Sequence, residues 1–136
     1  PKRRPRTTLS PSLALKDGLP YMVFGTPGGD QQDQWSLHLF LRHVHFGFNL
    51  QEAIDAPGFS TAHFPNSFYP RETDIGHLAV EGRFPKETID KLIKKGHKVI
   101  IDDDWSLGRM TAASKDGEIL KAAANPRFMQ GYAIGR

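Results

Sequence analysis

The segment FGTPGGDQQDQW, residues 24–35, carries the residues best placed to do chemistry. Gly28 and Gly29 follow a short apolar run and precede a carboxylate, Asp30, where a helix can open. Free backbone N–H groups at a helix start, reinforced by the helix dipole, favour negative charge. The same arrangement of donors forms an oxyanion hole in acyl transfer. The plainer alternative is a tight turn in which glycine supplies a positive φ. A second group is the hydroxyl cluster TTLSPS, with Thr7, Thr8, Ser10 and Ser12. Adjacent hydroxyls and main-chain donors near a cation such as Arg6 suit a carboxylate, and hydroxyls in loops also satisfy their own backbone.

Other reactive residue types read as structural. His38, His43 and His45 fall in one apolar-periodic segment, and His38 and His45 share a helix face. No HExxH, no His–carboxylate pair at i,i+4 and no cysteine accompanies them, so no metal site is expected. Asp102, Asp103 and Asp104 lack the order of a calcium loop and read as a hydrated strand end. Trp35 and Trp105 suit either a ligand pocket or the core. No cofactor is expected.

The elements that must position these groups follow from local signals. SLALK (12–16) and PYMVFG (20–25) flank Asp17-Gly18, a hairpin signal. Asp30 is expected to cap a helix running from Gln31 to about Phe46, with Leu37, Phe40, Leu41, Val44 and Phe48 on one face. Asn49 caps a short helix that stops before Pro57. Residues 58–84 hold short strands and loops, of which LAVEGRF is the best strand. Pro85 opens an amphipathic helix with Ile89, Leu92 and Ile93 inward and Glu87–Lys91 and Asp90–Lys94 as i,i+4 pairs, and Gly96 ends it. KVIIDDD is a strand, and a last hairpin turns at Asp116-Gly117. The order ββ-α-α-β-α-β-ββ implies a helix-covered sheet of the mixed α/β kind.

Bulk properties narrow the function classes. With 136 residues, 38% hydrophobic and 24% charged, the chain suits one domain and neither disorder nor a membrane span of roughly 18 apolar residues. The net charge of +3 sits in Lys2, Arg3, Arg4 and Arg6, leaving 14 basic against 15 acidic residues elsewhere. A six-residue basic tail without an aromatic-and-basic stripe reads as a solvated tail rather than a nucleic-acid site. The absence of cysteine excludes disulfides and leaves the compartment open. PKRRPR lacks the apolar core of a secretory signal, and since the chain begins without Met, an upstream address stays open.

Taken together, PRTTLSP (5–11), KDGLPYMVFGTPGG (16–29), EAIDAP, the VE before a Pro-opened helix, KKGHKV and AANPR (123–127) resemble the C-terminal part of the small subunit of the gamma-glutamyltranspeptidase (glutathione hydrolase) family. Order and spacing hold over almost the whole chain. The resemblance implies an α+β fold, part of a four-layer αββα sandwich of N-terminal-nucleophile hydrolases. It implies a substrate-loop segment at 1–11 and sheet with covering helices at 12–136. It gives Gly28 and Gly29 to the oxyanion hole, and Thr7 and Thr8, with Arg6, to the α-carboxylate of a γ-glutamyl group. The nucleophile of the family is a threonine freed by self-cleavage, which serves as its own base through its amine. It lies upstream of the paired hydroxyls, so this chain is expected to be one piece of the enzyme and inactive alone. Its expected partners are the large subunit, the N-terminal part of the small subunit and a small γ-glutamyl substrate, with no nucleic acid and no membrane. Family habit points to the periplasm or secretion, with the cytoplasm as the alternative.

Three departures bear on substrate preference. Thr stands for Ser at both paired hydroxyls, Gly58 stands where relatives usually have Arg, and the GGDQQDQW segment resembles a divergent bacterial branch. The competing expectations are an amidase of the cephalosporin-acylase kind and a non-catalytic interaction module derived from the family.

Overall fold

The computed structural model describes residues 1–5, 7–129 and 131–134. Strands β1 (Ser12–Lys16) and β2 (Leu19–Gly25) form the expected hairpin. Asp17 (φ 53°) and Gly18 (φ 78°) make its turn, the pair of positive φ values that matches the twist of the flanking strands. Helices α1 (Gln31–Val44) and α2 (Leu50–Asp55) follow, then β3 (Phe59–Ser60), β4 (His77–Glu81), α3 (Lys86–Lys94) and β5 (Lys98–Asp102). Strands β6 (Thr111–Asp116) and β7 (Ile119–Ala124) close the chain's second hairpin. A four-stranded antiparallel sheet has the order β1-β2-β6-β7, and a three-stranded sheet has the order β3-β4-β5 with β4 and β5 parallel across α3.

The core lies between the four-stranded sheet and helices α1 and α2. Met22, Ala112 and Ala123 on the sheet meet Leu39, Leu50, Ala53 and Ile54 on the helices. Alanines at paired positions of β6 and β7 let the helices sit close to the strands. Between Ala14 and Leu15 the β1–β2 register slips, leaving Tyr21 extra on β2. The bulge turns Tyr21 to the helical side, where its hydroxyl meets His43 Nε2 at 2.8 Å. The opposite face of this sheet carries Leu13, Val23, Ala113 and Ala122 in one row, with Leu13 60% and Val23 49% exposed.

Helix ends follow the local chemistry with instructive exceptions. Asn49 and Glu52 form a reciprocal capping box at α2, each side chain accepting from the other residue's N–H at 2.9 Å. Pro85 stands at the N-cap of α3, and Gly96, at φ 95°, follows its end. Four expectations are corrected. The buried stripe of α1 is Gln32, Ser36 and Leu39, whereas Leu37 and Val44 are exposed. Gln32 is drawn in because its amide donates to the Thr26 carbonyl at 2.7 Å, which rotates the helix about its axis. In α3, Ile93 is exposed, and Asp90 pairs with Lys86 at 2.6 Å rather than with Lys94, while Glu87–Lys91 forms at 2.7 Å. Asp30 sits at the N-cap of α1 but makes no side-chain cap.

Candidate active site

β2 ends at Gly25, and Thr26-Pro27-Gly28-Gly29 carries the chain from the sheet to α1. Gly28 has φ +147°, and a Cβ there would lie 3.3 Å from Gln32 Cγ and 3.4 Å from Trp35 Cζ3. The backbone conformation therefore favours glycine, and a Cβ would also press on the Gln32 side chain. The Gly29 carbonyl accepts from Gln32 N at 3.1 Å, which turns the peptide into the helix. Among the described residues, neither the Gly28 nor the Gly29 N–H has a hydrogen-bond acceptor. Two such donors beside a helix start are able to hold an oxyanion.

Thr7, Thr8 and Gly29 line one open cleft of about 650 Å³, together with Leu9, Ser10, Asp30, Gln32, Asp33, Ser67 and Phe68. Gly28 stands next in the chain but is not among the lining residues. Thr7 Oγ1 accepts from Leu9 N at 3.1 Å, which leaves its hydroxyl proton for an outside acceptor. Thr8 is exposed. Arg6 lies outside the described residues. Asp30 Oδ2, released from capping duty, accepts from Ser67 N at 2.6 Å and ties the 61–75 loop to the start of α1.

Behind this junction is a charged cluster that residue spacing does not reveal. Glu81, fully buried at the end of β4, receives Arg127 Nε on Oε1 (2.7 Å) and Arg127 Nη2 on Oε2 (3.1 Å). Leu107 N and Gly58 N each donate to it at 2.9 Å, and Arg83 Nη2 donates to Oε2. The same arginines hold the end of α2. Arg127 donates to the carbonyls of Ile54 and Ala56, Arg83 to Asp55, and Arg42 to Ala53, Ala56 and Pro57. Helix C-terminal carbonyls lack partners within the helix and carry negative partial charge, so the excess of arginine is offset there. The Arg83 guanidinium also lies 3.4 Å from the Trp105 ring centroid. Trp105 is thus a stacking partner and Trp35 a packing surface for Gly28 and Gly108. A Cβ on Gly58 would lie 2.5 Å from the Leu107 carbonyl oxygen, so no larger residue fits this backbone arrangement. The signals for this cluster were a lone glutamate closing an apolar strand and the Pro126-Arg127 pair.

Burial opposes the charge on Glu81, but hydrogen bonds from Arg127, Gly58, Leu107 and Arg83 outweigh it and hold the carboxyl at about 2. His38, stacked on Phe59 at 3.8 Å, is pushed down to about 4 by burial, with the Arg42 charge adding. In both cases the unfolded chain binds the proton first as pH falls. His38 thus contributes stability above pH 6.5 that is lost toward pH 4, and Glu81 contributes stability above pH 4.5 that is lost toward pH 2. Thermal melts of the intact protein from pH 7.5 down to 2.5 are expected to show both limbs. His38→Phe should flatten only the upper one; an unaltered upper limb would assign it elsewhere. Among the described residues, no group of three or more His, Cys, Asp or Glu is placed to hold a metal ion, and no helix is long and apolar enough to cross a membrane.

The fold is of the α+β kind and is shared with the gamma-glutamyltranspeptidase of Pseudomonas nitroreducens, at a TM-score of 0.74 and 22% identity, covering 100% of this chain and 65% of that one. The chain belongs to the gamma-glutamyltranspeptidase family, which it matches over residues 1–135. It is 30% identical over 135 residues to the glutathione hydrolase proenzyme of Escherichia coli (strain K12), covering 99% of this chain and 21% of the relative. It is 34% identical over 139 residues to the oxamate amidohydrolase proenzyme of Klebsiella pneumoniae subsp. pneumoniae, covering 99% and 25%. Among solved structures it is similar to LmbA2991T421A, at 54% identity and a TM-score of 0.89, covering 100% of this chain and 24% of that one. The chain thus spans about a fifth to a quarter of the length of the curated relatives it matches.

Proposed function

We propose that the intact protein is a self-processing threonine hydrolase that transfers or hydrolyses γ-glutamyl amides such as glutathione. The observation that carries this reading is the convergence of Thr7, Thr8 and Gly29 on one cleft at a strand–helix junction whose glycine N–H groups are unoccupied among the described residues. The glutathione hydrolase relative supports the donor class. The upstream threonine hydroxyl attacks the γ-carbonyl carbon and passes its proton to its own amine. The tetrahedral oxygen is held by the N–H groups of Gly28 and Gly29. The C–N bond then breaks, the amine leaves with the proton, and water or an acceptor amine resolves the ester. Thr7 and Thr8, with Arg6, hold the α-carboxylate. The rest of the precursor supplies the nucleophile and covers the apolar row Leu13–Val23–Ala113–Ala122.

The test begins with intact mass and N-terminal sequencing of the full-length product. Two chains, the smaller beginning with Thr, are the expected result; a single uncut chain would refute self-processing. In the processed enzyme, the double substitution Thr7→Ala and Thr8→Ala should raise KM for γ-glutamyl amides by about tenfold or more, with a smaller change in kcat. A second reading, a neutral-substrate amidase, is favoured by the cleft itself. Asp30 and Asp33 line it, and no cation does so among the described residues. An unchanged KM in the double variant, with turnover of amides that lack an α-carboxylate, would select this second reading.

A further inference from the structure

We propose that Phe68 is a specificity-determining wall of the cleft, held against Gly29 by Asp30, and that it limits the bulk of the amide leaving group. The proposal rests on reading the cleft as the acyl-transfer site. Phe68 Cε2 and Cζ lie 3.3 and 3.9 Å from the position a Cβ would take on Gly29, so the ring edges the peptide assigned to the oxyanion. The ring belongs to the same cleft as Thr7 and Thr8 and is 45% exposed, so one side of it faces open space.

Its position is fixed from both directions. The Phe68 N–H donates to Asn66 Oδ1 at 2.8 Å, and its carbonyl accepts from Arg71 N at 2.7 Å. The stem of the loop is closed by Asn66 N to the Glu72 carbonyl (2.8 Å), Asp74 N to the Ala62 carbonyl (2.9 Å) and Thr73 Oγ1 to the His63 carbonyl (2.6 Å). A side-chain contact joins this loop to the glycine junction, from Ser67 N to Asp30 Oδ2. A carboxylate accepting a backbone N–H is a strong, short hydrogen bond, and here it sits one residue from both Gly29 and Phe68. The residue that follows the glycine pair is therefore a positioning residue for the wall, and this occupies the oxygen that a capping aspartate would turn toward its own helix. On this reading the ring edge beside the Gly29 peptide crowds a branched or aryl substituent that enters the cleft on that side, and a packed wall moves only at a cost.

The experiment compares kcat/KM of the processed enzyme for γ-glutamyl-methylamide and a γ-glutamyl-naphthylamide. Phe68→Ala should raise the naphthylamide-to-methylamide ratio by about tenfold. Asp30→Ala should raise it in the same sense, and Asp30→Asn, which keeps an acceptor oxygen, should restore the original ratio. An unchanged or lowered ratio in Phe68→Ala overturns the wall. A second measurement is independent of the substrate. In a Thr8→Cys background, peptide-resolved mass spectrometry follows labelling by a methyl and by a naphthyl thiosulfonate. Phe68→Ala should speed the naphthyl reagent relative to the methyl one; equal selectivity with and without the ring overturns the proposal. Labelling selectivity that shifts while no γ-glutamyl amide is turned over would sink the donor reading and leave the wall standing.

Discussion

Glu81→Ala should destabilise the intact protein by about 3–5 kcal/mol, the cost of leaving buried charge without its partner. Glu81 is fully buried and receives donors from Arg127, Arg83, Gly58 and Leu107. Removing its carboxylate leaves Arg127, itself 3% exposed, with carbonyl acceptors alone. The arginines would then repel one another where Glu81 had screened them; the Arg42 guanidinium already feels this, being lowered by burial and by Arg127. Two further variants separate charge from packing. Arg127→Met should cost a comparable amount, because Glu81 then loses its bidentate partner. The double variant Glu81→Leu with Arg127→Met should recover much of the loss, since exchanging a buried pair for apolar residues is often neutral. Urea titration with a double-mutant cycle checks this; strict additivity would show that the two residues do not act as a pair.

The second large effect is expected at Gly28. On the acyl-transfer reading, Gly28→Ala should lower kcat of the processed enzyme by about 10²–10³, the range for loss of one oxyanion donor. The N–H is not deleted but displaced. Its φ of +147° is one that a residue with Cβ rarely adopts, and the new methyl meets Gln32 Cγ and Trp35 Cζ3 at 3.3 and 3.4 Å. Relief comes from rotation of the peptide, which moves its N–H, or from a small shift of the Gln32 side chain that holds the Thr26 carbonyl. KM should change far less than kcat, because an oxyanion contact is made in the transition state. The check is steady-state kinetics alongside a melt showing that the fold persists. A kcat within threefold or so of the parent would remove the oxyanion role and leave the glycine as a turn residue.

The parts of the fold legible in the sequence are those decided by neighbours in the chain. Asp17-Gly18 specifies a hairpin through its own φ values, Asn49 and Glu52 complete a cap three residues apart, and Pro85 and Gly96 bracket α3. The candidate site was legible in outline for a different reason. Thr7, Thr8, Gly28 and Gly29 were singled out by residue type and by family resemblance, and the cleft brings Thr7, Thr8 and Gly29 together. What escaped was decided by distant partners. The face of α1 was misplaced because a polar residue, Gln32, is buried by a carbonyl six residues earlier. Asp30 reads as a cap, yet its oxygen serves a loop 37 residues away. Glu81 reads only as part of the LAVEGRF strand, and its buried role appears once Arg127 and Arg83 surround it.

The bond between Glu81 and Arg127 also imposes an order in time. The two residues are 46 positions apart, and a ribosome adding roughly 5–20 residues per second needs on the order of 2–9 s to make that stretch. Throughout that interval the Glu81 carboxylate is unanswered by Arg127, and water must solvate it. The sheet that carries Glu81 therefore has reason to stay open until the translating chain has delivered its guanidinium, so this part of the chain waits for a later one before it can dry.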